Sequence, residues 1–240
     1  MMEDCGLIDI HAHILPGIDD GARDWEETRQ LLKASWEQGV RHIIATPHFS
    51  RRMDVEKLNG LRDRVVRMAQ EEGLGLEISL GQELRYFEEL PLYLEQGRAL
   101  TLAESRYALV EFKPNDSYQA IRRAVHGLVQ AGYIPVLAHV ERYRCLREKG
   151  RTVELVQSGA CLQINAESLL GGLFNRTCAW CLKEIRENRI HFAASDMHRI
   201  DTRPPRLEEA FKKLSKKPSC PDLAAIFEKN QRYILEDRVL

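Results

Sequence analysis

The chain has 240 residues, 44% hydrophobic and 30% charged; such a mix can bury a sizeable core and excludes disordered and membrane-embedded classes. Thirty-five Lys and Arg against 36 Asp and Glu give a net charge of -1, so no overall basic field recruits nucleic acid or anionic lipid and any anion must be held locally. The length fits one domain over 1–240, because α/β barrels reach ~250 residues as a single unit. The opening Met1-Met2-Glu3-Asp4-Cys5-Gly6 lacks the basic region and apolar run of a signal peptide, and no apolar stretch approaches the ~18 residues that span a bilayer, which predicts a cytoplasmic protein without membrane insertion. Six cysteines, at 5, 145, 161, 178, 181 and 220, are too sparse and uneven for a disulfide scaffold and read as mostly reduced.

Seven short β-rich runs recur in chain order, over 7–14, 42–47, 76–84, 107–112, 134–140, 161–166 and 191–195. Between them apolar residues at helical spacing predict helices over 25–38, 55–72, 118–131, 151–158 and 177–188, with another over 207–214 after the last strand. The exception is 86–101, which reads as a short helix and an irregular loop. Gly39, Gly73, Gly132 and Gly159 stand just before the following strands, where a left-handed C-terminal cap costs glycine least. The segment 216–221 reads as a loose connection before a last helix. Alternating strands and helices predict a parallel sheet covered by helices, either an open doubly wound sheet or a closed barrel.

The unusual residues gather at strand ends. Asp9, His11 and His13 stand at spacing two, which predicts one shared face opposite Ile8, Ile10 and Ala12. Two imidazoles beside a carboxylate are costly without a common ligand. Asp196 and His198 repeat that spacing at the last strand, while His48, Glu83, Glu111 and His139 end the second to fifth strands and Asp20 lies in the loop Gly17-Ile18-Asp19-Asp20-Gly21. Parallel α/β folds bring such ends to one face. Asp9 aside, these nine N and O donors without cysteine suit Mn²⁺, Fe or Zn²⁺ and exceed the needs of one ion, pointing to two or three ions that acidify a shared water. Arg142 and Arg203 follow His139 and His198 closely; their planar forks suit phosphate oxygens, so the set reads as a phosphoester hydrolase.

The segments His11-Ala12-His13, Thr46-Pro47-His48, Gly81-Gln82-Glu83, Val110-Glu111-Phe112, Ala138-His139-Val140-Glu141-Arg142-Tyr143 and Ser195-Asp196-Met197-His198 jointly resemble the PHP (polymerase and histidinol phosphatase) superfamily across roughly 7–205. Within it, Ile14-Leu15-Pro16-Gly17-Ile18-Asp19-Asp20-Gly21-Ala22 and Thr202-Arg203-Pro204-Pro205 resemble the bacterial capsule and exopolysaccharide tyrosine phosphatases of the CpsB/YwqE type. The resemblance implies a distorted seven-stranded (β/α) barrel of the PHP type, a trinuclear site usually active with manganese, and hydrolysis of phosphotyrosine on a bacterial tyrosine kinase. It implies His11, His13, Glu83 and Asp196 around the first metal, Asp20, His48 and His198 around the second, and Glu83, Glu111 and His139 around the third, with Glu83 bridging. Arg142 and Arg203 are then the phosphate-binding residues. Activated water attacks phosphorus in line without a covalent intermediate. A tyrosine leaving group, pKa ~10, asks little of a general acid; the donor is left open between Asp196 and a metal-bound water.

Competing readings stand beside this one. Cys145 and Arg151 fit the C-x-x-x-x-x-R spacing of cysteine-dependent tyrosine phosphatases, although Leu146 and Glu148 suit a phosphate loop poorly. Cys178 and Cys181 form a lone C-x-x-C on a predicted helix, better read as core. Lys212, Lys213, Lys216 and Lys217 read as a solvated face or a meeting point for an acidic kinase tail. Tyr86, Phe87 and Tyr93 are either a phenyl-ring pocket or ordinary core. Alternative functions are a PHP-type phosphoesterase acting on histidinol phosphate, another small phosphomonoester or a nucleic-acid end, and a metal-stabilised regulatory partner without turnover.

Overall fold

Strands and helices alternate as β1 (Leu7–Ala12), α1 (Trp25–Glu37), β2 (Val40–Ala45), α2 (Val55–Glu71), β3 (Glu77–Leu80), β4 (Leu84–Arg85), α3 (Leu90–Glu95), β5 (Tyr107–Glu111), α4 (Tyr118–Gln130), β6 (Ile134–Leu137), α5 (Arg151–Gln157), β7 (Cys161–Asn165), α6 (Arg176–Arg186), β8 (Phe192–Ala194), α7 (Leu207–Ser215) and α8 (Asn230–Leu235). The computed structural model describes residues 6–172, 174–216 and 223–240. Cys5, Lys217, Cys220 and all of the predicted connection except Lys216 therefore lie outside the described residues.

Among the described residues all strand pairings are parallel, in one sheet of order β1-β2-β3 and another of order β4-β5-β6-β7-β8. Two isolated parallel bridges, Ala12 to Met197 and His48 to Glu83, link segments at the ends of the two sheets. The predicted third strand is in fact two. Gly81 breaks it because its backbone passes so close to Thr101 and Leu102 that an added Cβ would lie 3.1 Å from Thr101 O and 3.0 Å from Leu102 Cδ2. The amide oxygen of Gln82 then accepts from Leu100 N–H. This crossing from one sheet to the other carries Glu83.

Helices form where the periodicity predicts them. Ser117 caps α4 by accepting from Ala120 N–H, and Ile121, Ala124, Val125 and Leu128 make its buried stripe. Asp24 caps α1 in the same way through Glu27 N–H. Gly39, Gly73, Gly132 and Gly159 adopt φ of 80, 68, 92 and 87° when taken in the order 39, 73, 159 and 132, as left-handed caps require.

The apolar core has two parts. Ile8, Ile10, Ile44, Tyr107, Leu109, Val136, Phe192 and Ala194 form a smaller cluster drawn from six strands together with Cys161, and Ile234 of α8 packs into it. A larger cluster joins Leu7, Ala12, Ile43, Leu162 and Ile164 to the buried stripes of the helices. Each fully buried aliphatic side chain contributes about 1.5–3 kcal/mol.

One predicted alternation fails. Between Asp9 and Ala12, three steps along β1 oppose two along β2, from Ile43 to Ala45. This bulge re-aims the strand: Ala12 packs with Leu7, not with Ile8 and Ile10. Asp9 consequently does not join the histidines. Its Oδ1 accepts from the N–H groups of Ser195 at 3.0 Å and His11 at 3.3 Å, tying β1 to the end of β8.

Candidate metal centre

The nine predicted donors converge at the C-terminal ends of the strands. A cleft of about 190 Å³ is lined by Asp20, His48, Glu83, Arg85, Glu111, His139, Arg142, Asp196, His198 and Arg203, and the fully buried His11 and His13 belong to the same cluster. His139, expected inside a strand over 134–140, lies past the end of β6, and Asp196, just beyond the strand expected over 191–195, lies past the end of β8. Each follows one in the left-handed region, at φ 35° and 52°, a conformation uncommon outside glycine and maintained here by surrounding contacts.

Three groups have donor atoms within 4.8 Å of one another: His11, His13 and Glu83; His13, Asp20, His48 and His198; and His48, Glu83 and Glu111. Glu83 Oε2 lies 3.3 Å from Nε2 of both His11 and His13 and 3.0 Å from His48 Nδ1, while its Oε1 lies 2.8 Å from His139 Nε2. Asp196 Oδ1 is 3.4 Å from His11 Nε2. Asp20 Oδ1 reaches His48 Nε2 at 3.3 Å and His198 Nε2 at 3.4 Å. Nine nitrogen and oxygen donors, with Glu83 facing four imidazoles, fit a site for more than one divalent ion.

Residues outside the predicted set orient these donors. Asp19 Oδ2 accepts from His13 Nδ1 at 2.8 Å and from His48 N–H at 2.9 Å, leaving His13 Nε2 for the cluster. His198 Nδ1 donates to the Asp196 carbonyl at 3.0 Å. Gln163 and Asn165, at spacing two on β7, reach His11 and Asp196 respectively. Arg85 donates to Glu111 Oε1 through Nε and Nη2, at 3.1 and 3.0 Å. Asp19 sits beside the predicted Asp20, and period-two reading of β7 would have found Gln163 and Asn165. Arg85 is a lone exposed arginine with no signal of its own.

Burial pushes Glu83 up, but His11, His13 and His139 hold it well below the usual carboxylate range. Burial likewise lowers His11 and His13, yet the carboxylates around them, Glu83 and Asp196 for His11 and Asp19 and Glu83 for His13, raise both imidazoles to about 9. For Asp19, burial is outweighed by the hydrogen bond from His13, giving about 2. Arg142 Nη2 donates to Asp196 Oδ2 at 2.7 Å, and Arg203 Nη2 lies 2.5 Å from the same oxygen as an ion pair. Although burial raises Asp196, His11, Arg142 and Arg203 keep it below the ordinary range.

The family profile described as capsular polysaccharide synthesis, CpsB/CapC, matches residues 7–236. The chain belongs to this family. It is 34% identical to the tyrosine-protein phosphatase CpsB of Streptococcus pneumoniae, over 98% of this chain and all of that protein. It is 36% identical to the tyrosine-protein phosphatase YwqE of Bacillus subtilis, over 88% of this chain and 84% of the relative. Its backbone superposes with a TM-score of 0.89, at 33% identity and covering 97% and 96% of the two chains, on a crystal structure from work on B. subtilis YwqE and S. pneumoniae CpsB, described as unique metal-dependent tyrosine phosphatases.

In this CpsB/CapC chain the rival motifs resolve as packing. Arg151 Nη1 donates to the Cys145 carbonyl at 2.8 Å and its Nη2 pairs with Glu148 at 2.6 Å, so the guanidinium is not presented to a phosphate. Burial pushes the Cys145 thiol up, the reverse of a thiolate nucleophile. Cys178 and Cys181 are buried free thiols on the inner face of α6. Lys212 pairs with Glu208 and Lys213 donates to the Gly171 carbonyl, as on an ordinary solvated face. Tyr86 stacks on Phe112 at 5.7 Å, while Phe87 stacks on Phe49 at 5.5 Å and meets Tyr93 edge-on at 5.1 Å. All three pack against the larger core and none lines the cleft.

Proposed function

We propose that this CpsB/CapC chain is a metal-dependent protein-tyrosine phosphatase, a phosphoric monoester hydrolase acting as one catalytic domain over 1–240. The observation that carries the reading is the meeting of four imidazoles, those of His11, His13, His48 and His139, on the Glu83 carboxylate, beside two guanidiniums that meet on Asp196 Oδ2. Similarity to tyrosine phosphatases over almost the whole chain supports the substrate class. The parallel strands form the expected distorted seven-stranded (β/α) barrel of the PHP type, with its third strand split at Gly81 among the described residues, a closure supported by the bridges Ala12 to Met197 and His48 to Glu83.

The cluster holds two or three ions, Mn²⁺ by preference with Fe or Zn²⁺ as substitutes. His11, His13, Glu83 and Asp196 serve the first, Asp20, His48 and His198 the second, and Glu83, Glu111 and His139 the third. When bound, such ions supply Lewis acidity, offsetting phosphoryl charge and acidifying water. Arg142 and Arg203 bind the phosphate oxygens, and ionised Asp196 orients both guanidiniums.

The substrate is a tyrosine-phosphorylated bacterial kinase that regulates capsule or exopolysaccharide synthesis, consistent with the family's description. The enzyme acts in the cytoplasm, in keeping with the free thiols of Cys145, Cys161, Cys178 and Cys181. Phosphate release from phosphotyrosine peptide, phosphoserine peptide and histidinol phosphate tests the assignment. The peptide bearing phosphotyrosine should have the highest kcat/KM; preference for histidinol phosphate would overturn it.

A further inference from the structure

Gln163 and Asn165 share one face of β7, while Leu162 and Ile164, which alternate with them, pack in the larger apolar cluster. Both amides are buried, Gln163 at 0% and Asn165 at 5% exposure. Such groups must be hydrogen-bonded, and the four bonds they make reach His11, His139 and Asp196 of the donor cluster. Gln163 Oε1 faces His139 N at 2.9 Å and His11 Nδ1 at 3.2 Å. Gln163 Nε2 faces Asn165 Oδ1 at 3.0 Å, and Asn165 Nδ2 faces Asp196 Oδ2 at 2.6 Å.

Two fixed ends determine every donor in this chain. Asp196 Oδ2 already takes a hydrogen bond from Arg142 Nη2, which can only donate, and faces Asn165 as an acceptor too, so Asn165 presents its NH2 there and its carbonyl oxygen to Gln163. That oxygen needs a donor, which turns the Gln163 NH2 towards Asn165. At the other end the His139 backbone N–H can only donate, which independently requires the Gln163 oxygen. With both ends agreeing, His11 Nδ1 faces an acceptor and must carry hydrogen. Its Nε2 is then the atom left for a metal, pointing at Glu83 Oε2, 3.3 Å away, and Asp196 Oδ1, 3.4 Å away.

We infer that Gln163, backed by Asn165, is a positioning residue that fixes His11 as the Nδ1–H tautomer with Nε2 aimed into the metal cluster. The inference rests on the metal-centre reading of the proposed function. The same oxygen steadies His139, whose backbone is in the left-handed region, so one amide couples ligands from the first and fifth strand ends of the predicted set. Removing it should weaken metal binding in the way that outer partners of metal-bound histidines generally do.

The test uses the full-length wild-type protein with ¹⁵N-labelled histidine and the diamagnetic probe Zn²⁺. Long-range ¹H–¹⁵N correlation should find His11 protonated at Nδ1 and coordinated at Nε2. Zn²⁺ uptake with the proton on Nε2 would overturn the inference while leaving the metal centre standing. No Zn²⁺ uptake at all would overturn both. In parallel, Gln163→Leu should weaken Mn²⁺ binding about 10- to 100-fold. Ile164→Val, which trims the opposite face of the same strand, should lose stability and keep wild-type affinity. Equal Mn²⁺ affinity in the two variants would reduce Gln163 to a structural role, and if Gln163→Leu does not fold, the wild-type tautomer still decides.

Discussion

Arg142 and Arg203 come from segments that follow different strands and meet on a single oxygen, Asp196 Oδ2. On the proposed phosphatase reading, that convergence would offer a phosphoryl group two planar donors already held in place. Arg203→Ala should lower kcat/KM on a phosphotyrosine peptide about 100-fold with unchanged metal content; wild-type kinetics would remove it from the site. Cys145→Ser should retain full activity, because burial keeps that thiol protonated. A dead Cys145→Ser variant with its metals intact would restore the thiolate mechanism. At this scale the clustering of donors was legible because imidazoles and carboxylates at strand ends are expensive without a shared partner. Gln163, Asn165 and Asp19 were not, since amides and a neighbouring carboxylate act on the ions only through other side chains.

The elements that carry the site depart from ideal geometry where they do so. The strand pattern of 7–14 and 76–84 predicted two regular strands, but the bulge after Asp9 and the break at Gly81 depend on what packs across from them, which local alternation does not encode. Helices were more legible: the stripe of α4 and its Ser117 cap are both local. The loop from β1 to α1 shows how tightly an element must fit. A Cβ on Gly21 would stand 2.3 Å from the His13 carbonyl oxygen and 2.5 Å from its Cβ, while the same loop lays Asp19 on His13. Gly21→Ala should therefore cost about 1–3 kcal/mol of stability and weaken Mn²⁺ binding, as read by thermal denaturation and metal titration. Unchanged values of both would mean that the loop adapts freely.

For the molecule as a whole, a net charge of -1 conceals a concentrated local field. His11 and His13 are raised from 6.5 to about 9 once burial and the surrounding carboxylates are combined. A raised folded-state pKa stabilises the fold fully below about pH 6.5, and that stabilisation is lost as pH climbs through about 9. Chelator-treated protein should thus melt at progressively lower temperature across this window, while Mn²⁺ binding tightens because metal and proton compete for the same nitrogens. Calorimetry at several pH values, with and without chelator, measures both effects. A flat melting profile in the chelated protein would contradict the charge balance described for the cluster.

The most direct measurement is phosphate release from a phosphotyrosine peptide by enzyme stripped with chelator and then given back Mn²⁺. Activity should vanish on stripping and return with the ion. Peptide hydrolysis that survives complete metal removal would contradict a metal-dependent phosphatase.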